Sequence, residues 1–146
     1  MGTRCLTVFK DEDDKEICVL YRQFDGYPSC HGKELKAFLK NKKIVNGYNL
    51  DDEQNGNFNG MGCLVAQVIA YFKLGNNVDP KSGYKPTVIG GFYIFPANSR
   101  DHWEDYVYYV FPKKTQLRNN KGKFTGEVIT IPVIKCFDVN GKKVKI

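Results

Sequence analysis

The chain contains no apolar run approaching the roughly eighteen residues that a membrane-crossing helix needs, so no membrane partner is expected. Its start, MGTRCLTVFK, has neither an apolar h-region nor a small-residue cleavage site, so no secretory signal is expected. Leu6 stands where a myristoylated Gly2 would be followed by Ser or Thr. The expected location is therefore the cytoplasm, that of the host cell if the protein is viral. None of the five cysteines (Cys5, Cys18, Cys30, Cys63, Cys136) forms a C-x-x-C pair, and His31 and His102 are the only histidines. That excludes a disulfide framework and a zinc-type site, and neither a metal nor another cofactor is expected.

What is present points to a globular, sheet-rich domain. The length of 146 residues suits one domain over 1–146 with a single core and no covalent staples. A hydrophobic fraction of 42% is ordinary for globular proteins and excludes wholesale disorder. Ten Phe, nine Tyr and one Trp favour strands. Charge is unevenly placed. From Lys113 onward there are nine Lys/Arg against Glu127 and Asp138, a net +7, which leaves −1 for the rest of a +6 chain. A basic C-terminal third of this kind attracts a polyanion or an anionic ligand.

Residues 3–10 and 16–23 alternate around the acidic turn 11–15 and predict an antiparallel hairpin. Residues 24–32 carry turn chemistry. Leu35, Phe38 and Leu39, spaced i, i+3, i+4, predict a short amphipathic helix over 33–41. The polar stretch 51–60 predicts a long connection. Residues 62–74 are apolar nearly all round, which fits a helix buried on a sheet and ending at Gly75, or a buried strand over 65–72. After a loop over 76–85, strands are expected at 86–95, 106–111 and 128–139, with a basic turn region at 113–122. Pro132 belongs at an edge or a bulge, and Asn140-Gly141 predicts a hairpin back through 142–146. The fold class is α+β: a mostly antiparallel sheet packed by one or two helices, with 113–146 as basic C-terminal strands of the same domain.

Three constellations could carry chemistry. The first is the glycine-rich entry to the apolar helix, where Gly60 and Gly62 would let an anion approach backbone N–H groups; its spacing matches neither a Walker loop nor a dinucleotide fingerprint. The second is Cys63 at that helix start, a nucleophile if His102 reaches it, since a helix N-terminus and an imidazole together activate a thiol. Cys30 and His31 are sequence neighbours, so in an extended segment they point apart and form no dyad. The third is a polar and aromatic set on loops and strand ends: Arg4, Arg22, Asp25, Tyr27, Arg100, Asp101, Glu104 and Tyr106. Arginines grip phosphate or carboxylate bidentately, and tyrosines offer flat platforms. Arg4 shares a face with Leu6 and Val8, so it needs a partner, and Asp25 or Asp101 could supply one.

Several of these residues also form a pattern. Gly2-Thr3-Arg4, then Phe24-Asp25-Gly26-Tyr27-Pro28 with Gly32, then Gly60-Met61-Gly62-Cys63-Leu64, then Gly90-Gly91-Phe92-Tyr93 through Pro96, and Arg100-Asp101 to Glu104-Asp105-Tyr106 follow in order. The pattern resembles a family of small phage, bacterial and viral proteins of undefined activity that open on GTR and carry an aromatic-D-G-Y-P motif after the second strand. It covers about residues 2–110 and leaves the basic C-terminal part outside. The resemblance implies a phage-type accessory protein of the sort that counters host defences, and it transfers no activity.

The leading expectation is a non-enzymatic binding module for an anionic small molecule, such as a nucleotide-derived signal. Its ligand would sit near Arg4, Asp25, Tyr27, Gly60, Gly62, Arg100, Asp101 and Tyr106. One alternative is a hydrolase using Cys63 and His102. Another is a nucleic-acid binder acting through the basic C-terminal third, with Tyr and Phe as stacking surfaces. A host protein is a further possible partner, and the sequence leaves the oligomeric state open.

Overall fold

The computed structural model describes residues 2–74 and 91–146. The expected helix stop at Gly75, the loop over 76–85 and the start of the strand expected at 86–95 lie outside the described residues. In chain order the elements are β1 (Cys5–Lys10), β2 (Glu16–Arg22), α1 (Lys33–Leu39), β3 (Ile44–Val45), α2 (Leu50–Asn55), β4 (Phe58–Asn59), α3 (Gly60–Leu74), β5 (Phe92–Pro96), β6 (Tyr106–Arg118), β7 (Phe124–Asp138) and β8 (Lys143–Val144). A single π-helical turn, Pro28–Gly32, leads into α1. The strands form one eight-stranded sheet in the order β4-β3-β7-β6-β1-β2-β5, with β8 also on β7. The α+β class holds. The sheet is mostly antiparallel, but β1 lies parallel to β6, from Cys5 beside Tyr106 to Phe9 beside Val110.

Alternation along β1 divides the core. Cys5, Thr7 and Phe9 face the helices; Leu6 and Val8 face the other side with Val19. The helical side carries the larger core, in which Leu35, Leu64, Val68 and Phe72 pack against Leu20, Phe92, Tyr108 and Val110. The run 60–74 is a helix and not a buried strand. It starts beside β4 at one edge and brings Phe72 to stack on Phe92 of β5 at the other. Fifteen residues rise about 22 Å, enough to cross most of the sheet's width.

The polar stretch 51–60 holds structure that its composition concealed. Asn49 accepts from the Asp52 N–H, Asp52 returns a bond to the Asn49 N–H, and Gly56 stops the turn of helix at φ +68°. This is a capping box, and α2 buries no residue, so periodicity offers no sign of it.

One turn design recurs in three hairpins. The side chains of Asp11, Asn119 and Asp138 each accept N–H bonds from residues two and four further on. In each, the residue at the fourth position is left-handed: Asp14, Gly122 and Gly141. Asx side chains pre-form such turns, and Gly or Asp accommodates the positive φ. The basic stretch 113–122, expected as a turn region, is strand as far as Arg118; the turn occupies only 119–123. Pro132 stands directly opposite Pro112. Neither carries an N–H, so both suit positions where the missing donor would point away from the partner strand.

Gly26, the centre of the D-G-Y-P motif, is a packing residue. Its N–H donates to the Thr3 carbonyl and its own carbonyl accepts the Tyr108 hydroxyl at 2.8 Å. A Cβ there would lie 2.8 Å from the Cys5 nitrogen and 2.9 Å from the Arg4 carbonyl carbon. These are backbone atoms that cannot step aside. Gly26→Ala is expected to destabilise the fold by about 2–3 kcal/mol, read as a lower urea midpoint with an unchanged slope.

Candidate functional site

The most elaborate polar cluster lies where β1, β2, the π turn and α1 meet. The Arg22 guanidinium donates to the Phe24 carbonyl at 2.6 Å, to the Glu34 carboxylate at 2.8 Å and to His31 Nδ1 at 3.2 Å. Arginine can only donate, so Nδ1 is the acceptor and Nε2 carries the proton that is given to Thr7 Oγ1 at 2.8 Å. The ring is stacked on Phe72 and meets Tyr108 edge-on. Burial, and then the Arg22 charge, push His31 down to a pKa of about 3. It stays neutral near pH 7, with both nitrogens engaged. Cys30 and His31 do share this cluster, because the π turn aims both at Arg22. The Cys30 thiol donates to Glu34, and burial followed by that bond raises its pKa. This is fold-holding chemistry, with no free base and no activated thiolate.

The residues expected to share a ligand are spread over the molecule. Arg4 sits at the start of β1, tied through its main chain to Asp105, whose carboxylate accepts the Arg4 N–H at 3.0 Å. No ion pair to Asp25 or Asp101 is found for it among the described residues. Asp25 and Tyr27 flank the buried Gly26 beside it, and Tyr106 pairs with Cys5. Arg100 is at the far end of β2, held by both Glu16 oxygens at 3.0 and 2.9 Å. Partial burial works to raise the Glu16 pKa, yet the Arg100 bonds and the Asn98 N–H leave it below the usual range. Asp101 N–H is taken by Glu104. Gly60 and Gly62 open α3 beside β4, four strands from β1, roughly 19 Å by strand spacing.

Cys63 and His102 stand on opposite faces of the sheet. Cys63 packs on the helical core and accepts a bond from the Gln67 amide. His102 lies flat on Phe95 at 4.1 Å, on the other face. The two do not form a dyad.

A different feature has the properties of a binding site. On its side away from β6, strand β7 pairs with β3 at Thr130 and with β8 at Cys136 and Phe137, leaving 131–135 without a partner strand, an open edge among the described residues. A groove of about 750 Å³ occupies this gap. Its floor is apolar, formed by Leu39, Leu117, Ile129, Ile131, Val133 and Ile134. Seven lysines rim it: Lys36, Lys40, Lys42, Lys43, Lys135, Lys143 and Lys145, with no acidic side chain. None of the seven is in an ion pair among the described residues; Lys42 donates to the Asn55 carbonyl.

No protein-family model matches this chain, and comparison with curated proteins and with solved structures finds no match either.

Past Val110 strand β6 has β7 alone as partner among the described residues, and beyond Thr130, where β3 joins β7, the hairpin continues as a two-stranded ribbon. Gly126, at φ +83°, sits in its bulge, and at its tip the Arg118 guanidinium lies 3.9 Å over the Phe124 ring. Lys113, Lys114, Lys121 and Lys123 add charge along it. Unneutralised lysines above an apolar floor suit an anionic chain with flat or apolar parts. Charge counting along the sequence found the C-terminal lysines of this rim. It missed Lys36, Lys40, Lys42 and Lys43, because only the fold brings the end of α1 beside β7 and β8.

Among the described residues no group of three His, Cys, Asp or Glu could hold a metal ion, and no helix is long and apolar enough to cross a membrane.

Proposed function

We propose that this protein is a nucleic-acid-binding module that takes the phosphate backbone along the lysine groove and the basic ribbon. The observation that carries the reading is the groove itself: seven lysines and, among the described residues, no carboxylate and no intramolecular ion pair at the rim. Three cations outside the groove are ion-paired among the described residues: Lys10 with Asp14, Arg22 with Glu34 and Arg100 with Glu16. The groove is where seven cations gather with no carboxylate among them. A phage-type accessory role in a bacterial cytoplasm is compatible with such a module, as the N-terminal resemblance implies.

The test is fluorescence anisotropy of a labelled 20-nucleotide oligomer titrated with the protein from 50 to 300 mM salt. If about five phosphates are neutralised, the logarithm of affinity should fall with the logarithm of salt at a slope of roughly −3.5 to −4.5. No binding at 50 mM salt, or a flat slope, would end this reading.

The apolar floor supports a second reading, a small amphipathic anion such as a nucleotide seated in the same groove. It predicts a thermal shift with the small molecule that survives at 300 mM salt, together with weak oligomer binding.

A further inference from the structure

The face of the sheet opposite the helices holds a second concavity, of about 580 Å³, over the middle of β6 and β7. Its surface is aromatic: Tyr109 and Phe111 on β6 and Phe137 on β7, with the Tyr109 and Phe137 rings edge-to-face at 5.7 Å. Three cations stand over it: Lys10 Nζ at 5.2 Å and the Glu16-paired Arg100 guanidinium at 5.8 Å from the Tyr109 centroid, and Lys135 Nζ at 5.4 Å from that of Phe111. Asp14 also lines it, paired with Lys10 at 3.2 Å, so among the described residues Lys135 is the cation there without a carboxylate partner. Lys135 belongs to the rim of the lysine groove as well. The two concavities thus meet at β7, across its open edge at 131–135.

Resting on the proposed nucleic-acid reading, we infer that the ligand is a single strand, its backbone on the lysine groove and Lys135 and its bases stacked on the Tyr109, Phe111 and Phe137 face. Tyr109 and Phe111 are two residues apart on one strand, which spaces their side chains about 6.8 Å along it. That is roughly twice the 3.4 Å rise of stacked duplex bases. Neighbouring bases can meet the two rings only if they are splayed apart, as a single strand allows and a duplex forbids. Aromatic rings interleaved with cations on an open sheet face are a sequence-tolerant platform, since every base has a π-face.

The experiment compares a labelled dT12 with a blunt 12-base-pair duplex at 50 mM salt, using wild-type protein, Phe111→Leu, Tyr109→Leu/Phe111→Leu and Phe111→Tyr. The wild type is expected to prefer the single strand by at least about tenfold. Each ring lost should lower single-strand affinity about tenfold while leaving duplex affinity unchanged, and Phe111→Tyr should restore the wild-type value. Circular dichroism checks the fold, and Phe111→Leu alone carries the test if the double variant unfolds. Equal or tighter duplex binding, single-strand affinity indifferent to the rings, or poly-glutamate binding as tightly as dT12 would each overturn the inference and leave the lysine groove standing. Absence of binding to either nucleic acid would overturn the functional reading itself.

Discussion

Taking the protein from pH 7 to pH 5 is expected to remove roughly 2 kcal/mol of folding stability, through His31. Its pKa is held at about 3 in the fold, against 6.5 when exposed. As pH falls below 6.5 the unfolded chain takes up a proton that the folded chain refuses, so each further unit costs about one pKa unit's worth of free energy. The contribution is therefore complete above about pH 6.5 and declines until about pH 3. The refusal has physical causes on every side. Phe72 covers one ring face, Tyr108 meets the ring edge-on, and Arg22 donates to the one nitrogen that could accept a proton. Cys30 and Glu34 lie beyond Arg22, and the Glu34 carboxylate is turned to the guanidinium rather than to the imidazole.

The window is separable from carboxylate effects. Glu16, held low by Arg100, begins to lose its contribution only below its ordinary value of 4.5, so between pH 6.5 and 4.5 the His31 slope stands out. Urea unfolding at half-unit pH steps measures it. His31→Gln should flatten the curve in that interval even if it lowers stability throughout. A wild-type stability constant from pH 7 to pH 5 would mean that His31 is charged in the fold, and the Arg22–His31 geometry would then be wrong.

The largest effect on binding is expected from reversing the groove. Lys36→Glu, Lys40→Glu, Lys143→Glu and Lys145→Glu together replace four rim cations by four anions, all at exposed positions. Oligonucleotide affinity at 50 mM salt should fall by more than a hundredfold, and the salt slope should flatten by roughly 0.7 to 0.9 for each phosphate contact removed. Lys143→Glu and Lys145→Glu should each move stability by no more than about 0.5 kcal/mol, since both are exposed and outside ion pairs among the described residues, whereas Lys36→Glu and Lys40→Glu, in the last turn and at the C-cap of α1, should each cost up to about 1 kcal/mol against the helix dipole. A control with Lys33→Glu and Lys142→Glu, exposed residues that do not line the groove, should weaken binding only slightly. Equal losses in both variants would show that net charge, and not the groove, attracts the ligand.

Much of this architecture could be read from residue order, where the deciding interactions are local. The β1–β2 hairpin follows from alternation around an Asx-led turn, and α1 from apolar spacing. Lys142 after Asn140-Gly141 likewise begins the return to β8. The fold class and the uneven charge were legible for the same reason. Helix α2 and the short strands β3 and β4 were not, because α2 buries nothing and each of the two strands spans only two residues.

Sites depend on distant parts of the chain, and there local patterns fail. Arg22, His31 and Thr7 come together through hairpin pairing and a π turn that no periodicity announces. Arg4 and Arg100 share a chemistry, but the length of the β1–β2 hairpin separates them. The lysines of α1 and of the C-terminal strands are about a hundred residues apart, and they share a rim only because β7 carries β3 on one stretch of its edge and β8 on another. Side-chain identity sets what each residue can bind; the order of strands in the sheet sets which residues bind together.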